Sequence, residues 1–429
     1  MVLKQNLDTK IIYDAIFNLI EIANTNLPQD VYNKLSNYNC NYKNEILKNA
    51  YLAQSKKRPL CQDTGQVLVF LEIGQDVILN GEYVESAINR AVKDCYIKNF
   101  YRKSTVQDAL YNRTNRGDNT PAIIHTQIVE GDEIKLMLGI KGGGSENMTF
   151  LKMFNPTASE AEIFEYVEKC AAEAGENACP PMSIGIGIGG CAETAAFLAK
   201  KALFFGKTIE KEVKNVFEIR IMTAPTHIAC MPVCLNLSCH SKRSASAKIK
   251  NGEIIYTSSF QKYNDVETSS NAREIMVSDI SALKNLKNDE EILLSGIIYT
   301  ARDAAHQKLV QILEGGGKPP IELKNTVIFY AGPCPAAPGE NIGPIGPTTS
   351  KRMDKFAPVL YENGVIATIG KGDRTIKGLN ALYFKANGGI ACVLQNCIKK
   401  CELVCFEELG TEAIYRLYVE KLPLKTVWL

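Results

Sequence analysis

No run of 18 apolar residues occurs in the 429-residue chain, so no membrane-spanning helix is expected. No sign of charge dominates. Lys and Arg number 49 against 47 Asp and Glu, and the lysines are interleaved with acids, which argues against a nucleic-acid surface and against an acidic tail. The start, Met1-Val2-Leu3-Lys4-Gln5-Asn6, lacks the apolar stretch of a secretory signal and passes into an amphipathic helix expected over 8–23. A cytoplasmic protein is therefore expected. No Cys-x-x-Cys pair occurs, which removes the usual signature of zinc ribbons, ferredoxin-type clusters and thioredoxin-like redox motifs. There is no Walker A pattern either. What remains is an ordinary globular composition, 45% apolar and 22% charged, with length for two or three domains.

Cysteine itself is plentiful, at 14 residues. Without an export signal these read as thiols in a reducing compartment. Cys40, Cys95, Cys170, Cys392, Cys397, Cys401 and Cys405 are expected to be buried small hydrophobes. Cys397 and Cys401 stand four apart in a lysine-rich apolar segment with no second ligand pair, and read as structural. Three cysteines sit differently. Cys61 opens the turn Cys61-Gln62-Asp63-Thr64-Gly65, which feeds an apolar run, 66–72, expected to be a buried strand. A packed core does not want that polarity at a strand entrance, whereas a site does. Cys179 stands in Ala178-Cys179-Pro180-Pro181, after a helix with the capping box Ser159–Glu162 and an end near Gly175. Cys239 stands in Asn236-Leu237-Ser238-Cys239-His240. Three isolated cysteines gathered by folding suit a cubane iron–sulfur cluster that leaves one iron open as a Lewis acid. Spacing alone does not single out these three.

Two glycine runs follow. Gly185-Ile186-Gly187-Ile188-Gly189-Gly190 satisfies G-x-G-x-x-G and precedes a helix expected over 193–205, which raises a nicotinamide-dependent dehydrogenase as a competing reading. Against it, only a short apolar stretch precedes the run, and no strand ending in an acidic residue follows at the expected distance. The second run, Gly142-Gly143-Gly144, follows a hairpin expected from 122–129 and 133–140, and its amides could hold an anion.

The last third of the chain has its own chemistry. A strand expected over 326–330 runs into a loop stiffened by proline and glycine that ends at a helix start, with Thr348 or Thr349 as N-cap and Arg352 in the first turn. A cation there opposes the helix dipole, so Arg352 makes more sense facing an anion. Arg302 opens another helix, with Asp303 as its alternative partner. A strand over 365–369 delivers Gly370-Lys371-Gly372. Three cations and a threonine hydroxyl suit a small dicarboxylate.

These residues resemble the class I, iron–sulfur-dependent fumarate hydratases and their tartrate dehydratase relatives. The resemblance is carried by Leu60-Cys61-Gln62-Asp63-Thr64-Gly65, Lys141-Gly142-Gly143-Gly144-Ser145, Cys179-Pro180-Pro181, Thr226-His227-Ile228, Ser238-Cys239, Tyr299-Thr300-Ala301-Arg302-Asp303-Ala304-Ala305-His306, Gly346-Pro347-Thr348-Thr349-Ser350-Lys351-Arg352-Met353-Asp354 and Gly370-Lys371-Gly372. It implies an α/β chain with the family's α and β parts fused. Residues 1–275 would form a mixed α+β domain carrying the cluster. Residues 285–429 would form a swivelling β/β/α domain, with the join inside 251–290. It implies Cys61, Cys179 and Cys239 as ligands of a [4Fe-4S] cluster, Thr348 as catalytic base and Asp63 as its acid–base partner. It implies Gln62, Arg102, Gly143, His227, Arg302, Arg352 and Lys371 as substrate contacts. The activity implied is reversible hydration of fumarate to L-malate by a homodimer, with L-tartrate or a methyl-substituted malate as alternative substrates and a non-catalytic iron–sulfur sensor as a remoter reading. Several features depart from the pattern. The third ligand is followed by His240-Ser241-Lys242-Arg243, Cys230 and Cys234 lie just upstream, and Cys191 and Cys334 fall in or beside candidate loops.

Overall fold

The apolar run that leaves Gly65 is a strand, and its burial on both faces organises the first half of the molecule. The computed structural model describes residues 5–268 and 272–429, and the chain divides into two units, Met1–Asp265 and Val266–Leu429. The first unit carries α1 (Lys10–Thr25), β1 (Gln66–Gly74), α2 (Val84–Lys98), β2 (Ile123–Val129), β3 (Ile134–Lys141), β4 (Thr149–Phe154), α3 (Glu160–Ala174), β5 (Met182–Gly190), α4 (Ala192–Phe205), β6 (Val216–Thr226), β7 (Met231–Ser238), β8 (Arg243–Lys250) and β9 (Glu253–Tyr256).

Two five-stranded sheets result. The first has the order β9-β8-β3-β1-β2. Here the expected hairpin is corrected. Strands form over both its arms, but β2 and β3 do not pair. β1 lies between them, parallel to β2 and antiparallel to β3. The cause is the composition of β1. Val67 to Leu71 are all buried, and a strand apolar on both faces needs a neighbour on each edge. The connection through Gly131 passes over the end of β1, and a Cβ on Gly74 would lie 2.3 Å from the Gly131 carbonyl oxygen. On one face, Val67, Val69 and Leu71 pack under Ile12, Ile16, Leu19 and Ile20 of α1. Each such side chain contributes about 1.5–3 kcal/mol on leaving water. α1 starts at Lys10, later than expected, because Gln5–Asp8 pairs with Val77–Asn80. On the other face, Phe70 meets Phe197 and Phe205 of α4.

The second sheet runs β4-β7-β5-β6, with Lys207–Ile209 on its edge. Its centre, β5, contains the glycine run that satisfies G-x-G-x-x-G. The run is a strand because its alternation matches the sheet. Ile184 and Ile186 face α3, whereas Gly185 and Gly187 face α4. A Cβ on Gly187 would lie 2.1 Å from the Ala195 carbonyl oxygen, so α4 rests directly on the strand backbone. These amides pair with β6 and β7 and do not form a phosphate loop. The layers are α1, first sheet, α4, second sheet, α3. The capping box at Ser159–Glu162 forms, and α3 ends at Gly175.

In the second unit β10 (Glu291–Thr300), α5 (Asp303–Glu314), β11 (Val327–Phe329), β12 (Ala367–Gly370), β13 (Leu382–Lys385), β14 (Ile398–Cys405) and β15 (Ile414–Trp428) build one sheet. β10, β11, β12 and β13 are parallel neighbours. The long β15 pairs with β10 along one edge and with β14 and then β13 along the other, so the sheet closes on itself. Cys95, Cys170 and Cys392 are buried as expected, but Cys40, Cys397, Cys401 and Cys405 are only half-buried. Cys401 and Cys405 lie on β14, an edge strand that is exposed over most of its length. Among the described residues no helix is long and apolar enough to cross a membrane.

Candidate active-site residues

The Cys61–Gly65 turn is gripped from several sides. Tyr96 OH donates to the Thr64 carbonyl, Asn119 Nδ2 donates to the Gly65 carbonyl at 3.0 Å, and Thr64 Oγ1 donates to the Arg102 carbonyl at 2.6 Å. Gly65, at φ 65°, approaches β3 so closely that a Cβ would lie 2.5 Å from the Lys141 carbonyl oxygen. This places Asp63 against the Gly142-Gly143 loop. Asp63 Oδ2 accepts from Gly143 N–H at 2.8 Å and Oδ1 from Gly65 N–H at 3.2 Å, and Arg102 Nη2 lies 3.1 Å from Oδ1. Burial alone would raise the Asp63 carboxyl. The Arg102 and Arg243 guanidiniums and the two N–H groups overcome it and hold the group below the usual carboxylate range. Cys61 is the opposite case. Burial pushes its thiol up to about 12, against the pull of Arg243, and Cys239 lies within electrostatic reach and adds to the rise.

Strand register shows why these residues converge. Val67 pairs with Ile140, and Ile140 pairs with Arg243, so the starts of β1 and β8 share one end of the first sheet. Ser183 pairs with Ser238, so the entry to β5 and the exit of β7 share one end of the second. The segment Cys239–Lys242 joins those two ends. Cys61 precedes β1, Cys179 precedes β5, and Cys239 lies in the join. Cys179 is half-buried at φ 54°, followed by the cis Pro180–Pro181 bond. Among the described residues no three His, Cys, Asp or Glu stand close enough for a single metal ion. A polynuclear cluster takes one thiol per iron and does not need such a shared shell. The donor set, three thiols at converging loop ends, fits that chemistry.

The other cysteines near Cys239 are separated from it by the strand. Cys234 sits mid-β7 against Ala195 and Ala199 of α4, and Cys230 lies at the opposite end of β7 from Cys239. His227 is also at that opposite end, exposed, with its Nδ1 accepting from Ala229 N–H at 3.1 Å. It stands roughly 25 Å from Cys239 along the strand. Within one chain, therefore, His227 does not join Cys61, Cys179 and Cys239.

In the second unit the candidates gather at the carboxyl ends of parallel strands, where α/β proteins place their sites. Arg302 follows β10, Thr348 lies beside the end of β11, and Lys371 follows β12. Thr348 N–H donates to the Tyr330 carbonyl at 2.6 Å, and the Thr348 carbonyl accepts from Lys371 N–H at 3.1 Å. Thr348 is half-buried. Arg302 lies over Gly332, where a Cβ would come within 3.0 Å of its Cδ, and its Nη2 is 3.2 Å from Glu412 Oε1. Its acidic partner is thus Glu412, and Asp303 goes elsewhere. Arg352 takes both oxygens of Asp303, with Nε 3.0 Å from Oδ1, and is half-exposed. The anion it faces is a carboxylate of its own chain. The helix expected after Thr349 is a single 3-10 turn, Ser350–Met353. The residues missed in sequence are Arg243, Lys141, Tyr96, Asn119 and Glu412. Lys141, buried and pushed down by that burial to about 7, holds Ser145 and the Leu237 carbonyl.

Two α/β units that carry cysteines, a held carboxylate and cations on strand-end loops have the layout of an enzyme. The comparisons with known proteins give the family. Residues 13–215 match the model described as fumarate hydratase (fumerase), and residues 250–428 match fumarase C-terminus. Similar proteins include fumarate hydratase 1, mitochondrial, of Leishmania major, 30% identical over 88% of this chain and 79% of that protein. Fumarate hydratase class I, aerobic, of Escherichia coli (strain K12) is 31% identical over the same shares. A putative L(+)-tartrate dehydratase subunit alpha of Methanocaldococcus jannaschii is 31% identical over 56% of this chain and 98% of that protein. The chain belongs to the fumarate hydratase family.

Proposed function

We propose that the chain is a hydro-lyase that adds water across the double bond of fumarate to give L-malate, and reverses that step, with a [4Fe-4S] cluster held by Cys61, Cys179 and Cys239. The observation that carries this reading is Asp63. A carboxylate two residues from a thiol is held in one orientation by Arg102 and two N–H groups, which fixes an acid–base group beside Cys61. When bound, such a cluster supplies a Lewis acid at the iron that has no protein ligand.

The remaining roles belong to the chain's own side chains. In the malate-to-fumarate direction a proton leaves the carbon next to a carboxylate and hydroxide leaves its neighbour, and negative charge builds on that carboxylate. Arg302, Arg352 and Lys371 are assigned to hold it, with Gln62, Arg102 and the Gly143 amide. Thr348 is assigned as the base, with Asp63 as its acid–base partner. A threonine hydroxyl is a weak base in water, and cations beside it favour its ionised form. Thr348→Ala is expected to lower kcat by about 10²–10⁴-fold while L-malate still binds. Near-normal turnover in that variant would remove Thr348 from the role.

The oligomer proposed is a homodimer, in which a contact between His227 and substrate would come from a second copy. A compartment that keeps thiols reduced, such as the cytoplasm, is proposed with it. A second reading, L-tartrate as substrate, is supported by the likeness of the first unit to the putative tartrate dehydratase subunit. One hydroxyl separates the substrates, and relative kcat/KM on L-malate, L-tartrate and mesaconate decides between them.

A further inference from the structure

The segment Ser238–Ser244 is almost wholly polar and almost wholly buried. Ser238, His240, Ser241, Lys242, Arg243 and Ser244 are each at most 4% exposed. A buried cation is expensive by several kcal/mol unless anions compensate it. Lys242 has its anion, since its Nζ pairs with the buried Glu218 carboxylate. Successive residues of a strand point to opposite faces, and Arg243 turns away from that pair. Its Nη1 reaches Asn24 Oδ1 at 3.4 Å, and its Nε has no hydrogen-bond partner among the described residues. A Cβ placed on Gly142 would lie 3.1 Å from Asp63 Oδ2 and 3.6 Å from Arg243 Nη2, so the carboxylate and the guanidinium flank one point. Arg102 holds the other Asp63 oxygen. By register, Arg243 also stands across Ile140 from Val67, directly behind the turn that carries Cys61.

We propose that Arg243 is a positioning residue: with Arg102 it fixes the Asp63 carboxylate, and its buried charge offsets the negative charge that Cys61, Cys179 and Cys239 bring as thiolates when they hold a cluster. The idea rests on the function proposed above. It explains why a second guanidinium, besides the Arg102 group that holds Asp63 Oδ1, is buried at this end of the sheet. Asp63 supplies one negative charge against the two guanidiniums of Arg102 and Arg243, and the thiolates of a bound cluster would balance the remainder. Lys141, a further buried cation at this end of the sheet, is tied to Ser145 and the Leu237 carbonyl and cannot replace Arg243.

The test compares the parent chain with Arg243→Gln and Arg243→Lys, each reconstituted anaerobically with iron and sulfide. Iron and sulfide per chain, the reduction potential of the cluster, thermal midpoint and L-malate kinetics are measured. Arg243→Gln is expected to bind less iron, to show a more negative potential because a nearby positive charge is gone, and to lose at least tenfold in kcat. Arg243→Lys is expected to restore the potential and part of kcat. A loaded, active parent matched by Arg243→Gln in potential and kcat overturns the assignment alone. So do equal losses of iron and thermal midpoint in both variants, which would make Arg243 merely structural. If Arg243→Gln cannot be purified, Arg243→Lys decides, and a shifted potential in it overturns the assignment. A parent that takes up no iron and sulfide overturns the function reading and this assignment together.

Discussion

Asp63 shows what single residues reveal and what they conceal. That a carboxylate beside Cys61 belongs to a site is legible from the turn itself, since no core accepts that polarity before an apolar strand. Which groups hold it is not. Gly143 and Arg243 lie 80 and 180 residues away, and only the pairing of β1, β3 and β8 brings them to it. Arg352 shows the converse. Its expected anion exists, but it is Asp303 of the same chain, reached across a turn whose geometry is not written in local spacing. His227 matches a motif and yet sits at the wrong end of β7 for its own chain. At this scale Asp63→Asn is expected to lower kcat by about 10²-fold or more and to lower the thermal midpoint, because one of the two accepting oxygens becomes an NH2 that faces a donor. Unchanged kcat at unchanged thermal midpoint would remove Asp63 from the proton path.

At the scale of elements, helices and strands with strong local signals were legible, and their partners were less so. The capping box of α3 and the strand of β1 form where expected. The hairpin failed because sequence adjacency suggested pairing between β2 and β3, whereas the demand of β1 for two neighbours is non-local. The glycine run matched a dinucleotide loop in form because such a loop and a strand under a close helix write the same letters. The alternating isoleucines were the distinguishing signal, with period two over five residues. Gly187→Ala is therefore expected to destabilise the protein by about 3 kcal/mol or more, since the new methyl meets backbone of α4 at 2.1 Å. A shift of the urea midpoint at constant slope measures it, and a midpoint within error of the parent's would contradict the packing described.

At the scale of the whole molecule, buried charge ties each unit together and makes its stability depend on pH. In the first unit Glu218 is fully buried among Lys242, Arg220 and Lys34. Removing one partner alone, as in Glu218→Gln, is expected to cost about 3–5 kcal/mol, because cations remain buried without their anion. In the second unit His306 is fully buried between Tyr330 and Phe356, and burial pushes its imidazole down to about 4. The folded chain then keeps His306 neutral where the unfolded chain, titrating near 6.5, takes up a proton. The unfolded state binds more protons below that pH, so stability falls as pH drops from about 6.5 to about 4, by on the order of 2–3 kcal/mol from this group. Urea midpoints of His306→Phe and the parent, compared across that window, should converge towards low pH. Parallel curves would contradict the burial.

The central claim is that Cys61, Cys179 and Cys239 hold a cluster that makes this chain a fumarate hydratase. It is tested most directly by anaerobic reconstitution with iron and sulfide, followed by the rise of fumarate absorbance on adding L-malate. The prediction is fumarate formation that requires reconstitution and disappears in Cys179→Ser. Turnover that survives Cys179→Ser, or a fully loaded chain that forms no fumarate, would contradict it.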